Sequence, residues 1–187
     1  MDDYPEVAVE GASTSYFGGQ RDDLDPNLFD ETHLLPDVRE EILRMLFHFL
    51  GLTWEYPHAW TNVWLAGSGV SYQWETNRFP GDLDCLVGVD YPSFRSHNRD
   101  YAGLSDEEIS KMINEHFNAD LMPHTANWRG YELTFYVNPD STDITAINPY
   151  AAYDVVHDEW TVPPTHPGTN YTREWAAKAD RDHAQAL

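Results

Sequence analysis

The sequence predicts an α+β fold in which a mixed β-sheet is packed with helices, mainly on one face, and three observations carry that expectation. A helix-period segment stands early in the chain. Two strand-like segments follow, separated by a Gly-Ser-Gly turn. A second helical segment then precedes a third strand-like run. Helices interspersed with strands, with no internal repeat, suggest one sheet with helices laid against it. A chain of 187 residues is long enough for one domain with a substantial core and too short for two full-sized ones. We therefore read residues 1–187 as a single domain.

Residues 1–25 are rich in Asp, Gly and Ser, lack a consistent period and read as a loose N-terminal arm. The first helix is expected from Asp37 to Leu50. Pro36 stands just before it, Val38, Ile42, Met45, Leu46 and Phe49 recur at helical spacing, and Gly51 ends it. A strand from Asn62 to Ala66 runs into Gly67-Ser68-Gly69, and residues 70–76 could form the first turns of a short helix. The turn-prone segment Thr76–Gly81 leads into a second strand, Asp82–Val89. Ser105-Asp106-Glu107-Glu108 is a capping box that opens a helix with the stripe Ile109, Met112, Ile113 and Phe117.

Trp128-Arg129-Gly130 precedes a third strand, Tyr131–Asn138, and Asp143–Ile147 adds a fourth short one after a turn. The proline-rich segment Asn148–Asn170 reads as an irregular wrap. Residues 171–187 read as a C-terminal helix beginning near Thr172.

Composition narrows the partners. Acidic residues outnumber basic ones 32 to 11, for a formal net charge of −21. Binding to a long nucleic-acid duplex needs clustered Lys and Arg, and the two lysines, Lys111 and Lys178, and the scattered arginines form no cluster. Such a duplex is therefore disfavoured as a partner, while solubility or adaptation to salt explains the acidity. No apolar run is long enough for a bilayer span, so no membrane partner is expected. The N-terminus shows no secretory pattern. With Cys85 as the single cysteine, a soluble, cytoplasmic protein of a reducing compartment is expected.

The informative stretch is Leu65-Ala66-Gly67-Ser68, thirteen residues, then Asp82-Leu83-Asp84-Cys85-Leu86-Val87. Strand side chains alternate, so Leu83, Cys85, Val87 and Val89 make an apolar face and Asp82, Asp84 and Leu86 the other. The two carboxylates then stand roughly 6–7 Å apart along the strand. Adjacent anions repel each other, and a divalent cation between them reverses that penalty. Oxygen ligands of this kind suit Mg²⁺ or Mn²⁺. The glycines of Gly67-Ser68-Gly69 let the backbone approach a ligand, turn amides favour phosphate, and the Ser68 hydroxyl adds a donor.

This arrangement resembles the signature of the DNA polymerase beta-type nucleotidyltransferase superfamily. In that signature Gly-Ser is followed, after some nine to thirteen residues, by Asp, an apolar residue, Asp or Glu and another apolar residue. Gly67-Ser68 and Asp82-Leu83-Asp84-Cys85 fill those places, with the gap at the long end. The likeness covers residues 62 to 89, and reaches about 147 by order of elements. It implies a mixed sheet packed with helices, and Mg²⁺-dependent transfer of a nucleoside monophosphate from a nucleoside triphosphate to an acceptor hydroxyl, with pyrophosphate released. It also implies a third carboxylate on a later strand, which completes the metal site and can take the proton of the acceptor hydroxyl. Glu132, on the polar face of Tyr131–Val137, is the candidate, followed by Asp143 and then Asp154. Arg78 and Lys111 are candidates for the triphosphate's charge.

Other patterns exclude competing chemistry. The nine histidines show no compact metal spacing, and no Gly-x-Ser-x-Gly elbow or Walker loop occurs. The aromatic run Trp54–Trp64 reads as core. Tyr150 or Tyr153 could line the substrate cleft. The acceptor could be a protein side chain, a small molecule or an RNA end, with RNA ranked lower by the acidity. The alternative reading is a catalytically silent protein of the same fold, an antitoxin-like partner or a viral accessory protein.

Overall fold

Proline at its first position and apolar residues three or four apart make Pro36–Gly51 a helix, α1, that buries Val38, Ile42, Leu46, Phe47, Phe49 and Leu50. The computed structural model describes residues 21–74, 81–138, 144–147 and 151–165. Before α1, two short strands pair antiparallel, β1 (Phe29–Asp30) and β2 (His33–Leu34).

The chain then builds β3 (Thr61–Ala66), β4 (Gly81–Val89), α2 (Tyr91–His97), α3 (Asp106–His116), a π-helical turn (Phe117–Leu121), α4 (Met122–Thr125), β5 (Tyr131–Val137), β6 (Ala152–Asp154) and β7 (Glu159–Val162). The five larger strands form one mixed sheet in the order β5-β4-β3-β6-β7. β3 runs antiparallel to β4 and β6, β6 antiparallel to β7, and β4 parallel to β5. A parallel pair needs a long crossover, and α2, α3 and α4 lie within this one.

The capping box closes as expected. The Glu108 amide donates to Ser105 Oγ at 3.1 Å, and the Ser105 amide to Glu108 Oε1 at 2.9 Å. Ile109, Ile113 and Phe117 are buried with α1 and with Leu83, Cys85, Val87, Val89, Leu133, Phe135 and Val137 in one core. The apolar alternation read in β4 and β5 is therefore the helix-covered face. On the opposite face a smaller cluster joins Ala66, Leu86, Ile144 and Ala152, with Trp64 and Val162 packed on it.

Three expectations change. Ile144–Ile147 forms a 3₁₀ turn instead of a strand, and Ile144 plugs the smaller cluster instead of extending the sheet. Within 148–170, β6 and β7 form a hairpin that widens the sheet, where an irregular wrap was expected. Its turn is held by the buried Asp154, which accepts from the His157 amide, His157 Nδ1 and Asn62 Nδ2. Arg39 of α1 anchors the same hairpin through the carbonyls of Val155 and Val156, at 2.7 and 2.8 Å. After Gly67, the chain makes a 3₁₀ turn at Ser68–Val70 and no helix from residue 71 to 74. The expected C-terminal helix and residues 1–20 of the arm lie outside the described residues. Among the described residues no helix is long and apolar enough to cross a membrane.

Candidate functional site

The site begins where β3 ends. Gly67 has φ 97° and ψ −169°, a conformation that side-chain-bearing residues rarely adopt. The turn closes with the Val70 amide on the Gly67 carbonyl at 3.3 Å and the Ser71 amide on the Ser68 carbonyl at 3.1 Å. Ser71, buried, braces it by donating its hydroxyl to the Ser68 carbonyl at 2.8 Å. The amides of Ser68 and Gly69 precede the first internal bond of the turn, the position in which backbone donors face outward.

Strand pairing sets the acidic residues. Asp82 lies opposite Glu132, and Asp84 opposite Thr134 on one side and Ala66 on the other. Directly paired residues share a face, with neighbouring strands about 4.8 Å apart. Asp82, Asp84 and Glu132 therefore stand together on the face away from the helices. The register of β5 is set by the turn before it, where Arg129 and Gly130 have φ of 54° and 86°. Trp128 and Tyr131 exchange both backbone bonds across that turn, and the Gly81 amide donates to the Gly130 carbonyl at 3.0 Å. Arg129 also reaches α1, pairing with Asp37 and Glu41.

The three carboxylates differ in exposure. Asp82 is exposed, Glu132 is half-buried, and Asp84 is only 7% exposed. Burial, and then the charges of Asp82 and Glu132, push the Asp84 carboxyl up to about 7. That coupling is the electrostatic signature of three anions sharing one patch. Among the described residues no three His, Cys, Asp or Glu side chains close into a cage around a cation. Beside Asp84, the Cys85 thiol points into the core and is pushed well up by burial, which leaves it inert.

A cleft lies at this end of the sheet, lined by Asp25, Ser68, Gly69, Trp74, Gly81, Asp82 and Tyr131. The turn at Ser68 and Gly69 and the first acidic residue thus share one opening, with Asp84 and Glu132 next along the strands. Four of the lining residues, Asp25, Trp74, Gly81 and Tyr131, were not among the site candidates read from the sequence. Asp25, 3% exposed, accepts from the Asn27 amide and from the Tyr131 hydroxyl. Asp25-Pro26-Asn27 is a readable turn signal, but its partner is 106 residues away. Trp74 donates Nε1–H to the Asp23 carbonyl at 2.8 Å.

The remaining candidates are placed elsewhere or undescribed. Lys111 is exposed on α3, whose buried residues pack on the helix-covered face, so the structure does not bring it to the carboxylates. Asp154 is engaged in the β6–β7 turn. Tyr153 is fully buried on the helix side, edge-on to Phe29 and Trp160, and does not line the cleft. Arg78, Asp143 and Tyr150 lie outside the described residues.

Comparison with known proteins returned no match to a family model, a curated protein or a solved structure.

Proposed function

We propose that the protein is a metal-dependent nucleotidyltransferase with a nucleotidyltransferase-like fold, moving a nucleoside monophosphate from a nucleoside triphosphate to an acceptor hydroxyl. The observation that carries this reading is that Ser68, Gly69 and Asp82 line one cleft, with Asp84 electrostatically coupled to Asp82 and Glu132. A phosphate-binding turn has no evident use for a carboxylate group beside it unless a cation joins them.

The donor set fits that cation. Mg²⁺ is usually held by one or two carboxylates, with substrate phosphates and water completing its shell, and not by an all-protein cage. Asp82 and Asp84 would supply those carboxylates, and the bound ion would stabilise charge on the reacting phosphoryl oxygens. Mn²⁺ suits the same ligands.

The chain's own groups have separable tasks. Ser68 offers its hydroxyl and, with Gly69, its backbone amides to phosphate oxygens. Asp84, buried and crowded, gains most when a cation replaces its proton. Glu132, less buried and directly opposite Asp82, would be the third metal ligand or would accept the proton of an acceptor hydroxyl entering across β5. A protein side chain or small molecule fits the acidic surface better than RNA does.

The test is a thermal-shift and turnover series. Each of the four nucleoside triphosphates is tried with and without Mg²⁺ or Mn²⁺, on wild type and on Asp82→Asn/Asp84→Asn. A ligand at a hundred times its dissociation constant stabilises the folded state by about 2.7 kcal/mol. Metal-dependent stabilisation by a triphosphate, with pyrophosphate release and loss of both in the double variant, supports the reading. No shift and no pyrophosphate under any combination leaves the catalytically silent interaction protein as the better account.

A further inference from the structure

Asp25 and Asp82 line the cleft, Asp84 and Glu132 stand beside Asp82 on the sheet, and a triphosphate entering the cleft brings still more negative charge. One metal site does not neutralise that array, so a fixed cation is needed nearby. Most described cations are committed elsewhere. Arg39 holds the carbonyls of Val155 and Val156, Arg95 the Leu104 carbonyl and Asp106, and Arg129 pairs with Asp37 and Glu41. Arg44 lines a groove on the outer side of α1 with Phe47 and His58, and Lys111 is on α3.

Arg21 differs from all of these. The segment 21–25 is laced to both walls of the cleft. The Arg21 amide donates to the Tyr72 carbonyl at 2.6 Å, Trp74 Nε1–H donates to the Asp23 carbonyl, and Asp25 receives the Tyr131 hydroxyl. The Arg21 guanidinium sits over the ring of the cleft-lining Trp74, 4.5 Å from its centroid. Its Nε is buried and meets no hydrogen-bond partner. A buried donor left unmet is costly and calls for an acceptor. Stacking on indole holds the guanidinium plane while leaving its edge available for a bidentate pair with an anion.

We propose that Arg21 is the cation that binds the outer phosphates of a triphosphate whose remaining oxygens are held at Ser68 and Asp82. This assignment rests on the nucleotidyltransferase reading above. It places a phosphate-binding residue on the N-terminal segment, far from the Gly-Ser and Asp-x-Asp elements in sequence.

The experiment titrates the full chain with inorganic tripolyphosphate and with each nucleoside triphosphate, using Ca²⁺ to limit turnover. Arg21→Met keeps an apolar stem over Trp74 and removes the charge. Arg21→Lys keeps a charge without the planar fork. Arg99→Ala, on the exposed turn after α2, controls for losing one positive charge from an acidic chain. The expected result is a loss of about ten- to a hundredfold in affinity for tripolyphosphate and triphosphate alike in Arg21→Met. Arg21→Lys loses less, and Arg99→Ala is unchanged. Phenylglyoxal modification of wild type, mapped by peptide mass, gives a readout independent of variant folding, and tripolyphosphate with metal should protect Arg21. Wild-type affinity in a folded Arg21→Met, or no protection of Arg21 by a bound tripolyphosphate, overturns the assignment and leaves the nucleotide site standing. A wild-type chain that binds no triphosphate with metal overturns both.

Discussion

Gly69 packs against Asp82 so closely that a Cβ at this glycine would stand 3.0 Å from the Asp82 carbonyl oxygen and 2.9 Å from Leu83 Cδ2. The turn after β3 and the acidic start of β4 are therefore in direct contact, and the close approach of the neighbouring backbone favours glycine here. Gly69→Ala must push the turn outward or displace β4. Overpacking of this kind costs about 1–3 kcal/mol. The expected outcome in chemical denaturation is a loss in that range, with a larger proportional loss of triphosphate affinity, because Ser68 moves relative to Asp82. Unchanged affinity in a destabilised Gly69→Ala chain would separate the turn from the binding site.

Asp84 makes the metal-free protein sensitive to pH. Its carboxyl ordinarily titrates near 3.8 and is raised to about 7 by burial, Asp82 and Glu132. Between those values the folded chain holds a proton that the unfolded chain has released. Stability therefore falls as pH rises, with the contribution fully present below about pH 4 and lost by about pH 7. The span corresponds to up to about 4 kcal/mol. Thermal melts from pH 4 to 8 should show this decline in wild type and a flatter profile in Asp84→Asn. At pH 8, Mg²⁺ or Mn²⁺ should raise the melting temperature of wild type and leave Asp84→Asn nearly unmoved. An identical pH slope in both chains would assign it to another group.

Much of the site was readable because alternation in a strand is a local property. Leu83, Cys85, Val87 and Val89 against Asp82 and Asp84, and the odd-numbered residues of β5 against Glu132, follow from period two alone. The pairing of Asp82 with Glu132 depends on a parallel register set by the Arg129-Gly130 turn, which no local pattern states. The β6–β7 hairpin was hidden for a related reason. Ala152, Tyr153 and Asp154 are all buried, so they show no alternation, and a proline-rich neighbourhood masks strands this short. Which face of the sheet the crossover helix carrying Lys111 covers is likewise set by tertiary packing, which no local pattern states. Asp25, Trp74 and Arg21 converge on the cleft only through tertiary contacts.

Tyr131 and Asp25 should act as a latch for the N-terminal segment. The Tyr131 hydroxyl donates to a carboxylate that is 3% exposed, and burial together with Asp25 pushes the phenol well up from its ordinary value. Tyr131→Phe removes the donor and leaves one oxygen of a buried carboxylate unmet, at a cost of about 1–3 kcal/mol. Hydrogen exchange should then quicken for the amides of Leu28 and Phe29, which both bond to the Asp25 carbonyl. A variant that melts like wild type with unchanged exchange would show that the bond is not what holds this segment.

Glu132 offers the sharpest contrast between fold and function. Its charge raises the carboxyl of Asp84, so Glu132→Gln relieves repulsion in the metal-free protein and should leave the melting temperature at pH 8 unchanged or higher. A residue that accepts the proton of the acceptor hydroxyl would, when neutralised, lower turnover by about 10²–10⁴-fold. Triphosphate binding should persist, since Ser68 and Asp82 are untouched. The pattern to look for is thus a more stable protein that still binds nucleotide and has almost stopped releasing pyrophosphate. Asp154→Asn should do the opposite, loosening the β6–β7 turn where Asp154 accepts three hydrogen bonds, while the folded fraction keeps its turnover. If Asp154→Asn, and not Glu132→Gln, abolishes turnover in a fully folded chain, the third carboxylate has been assigned to the wrong strand.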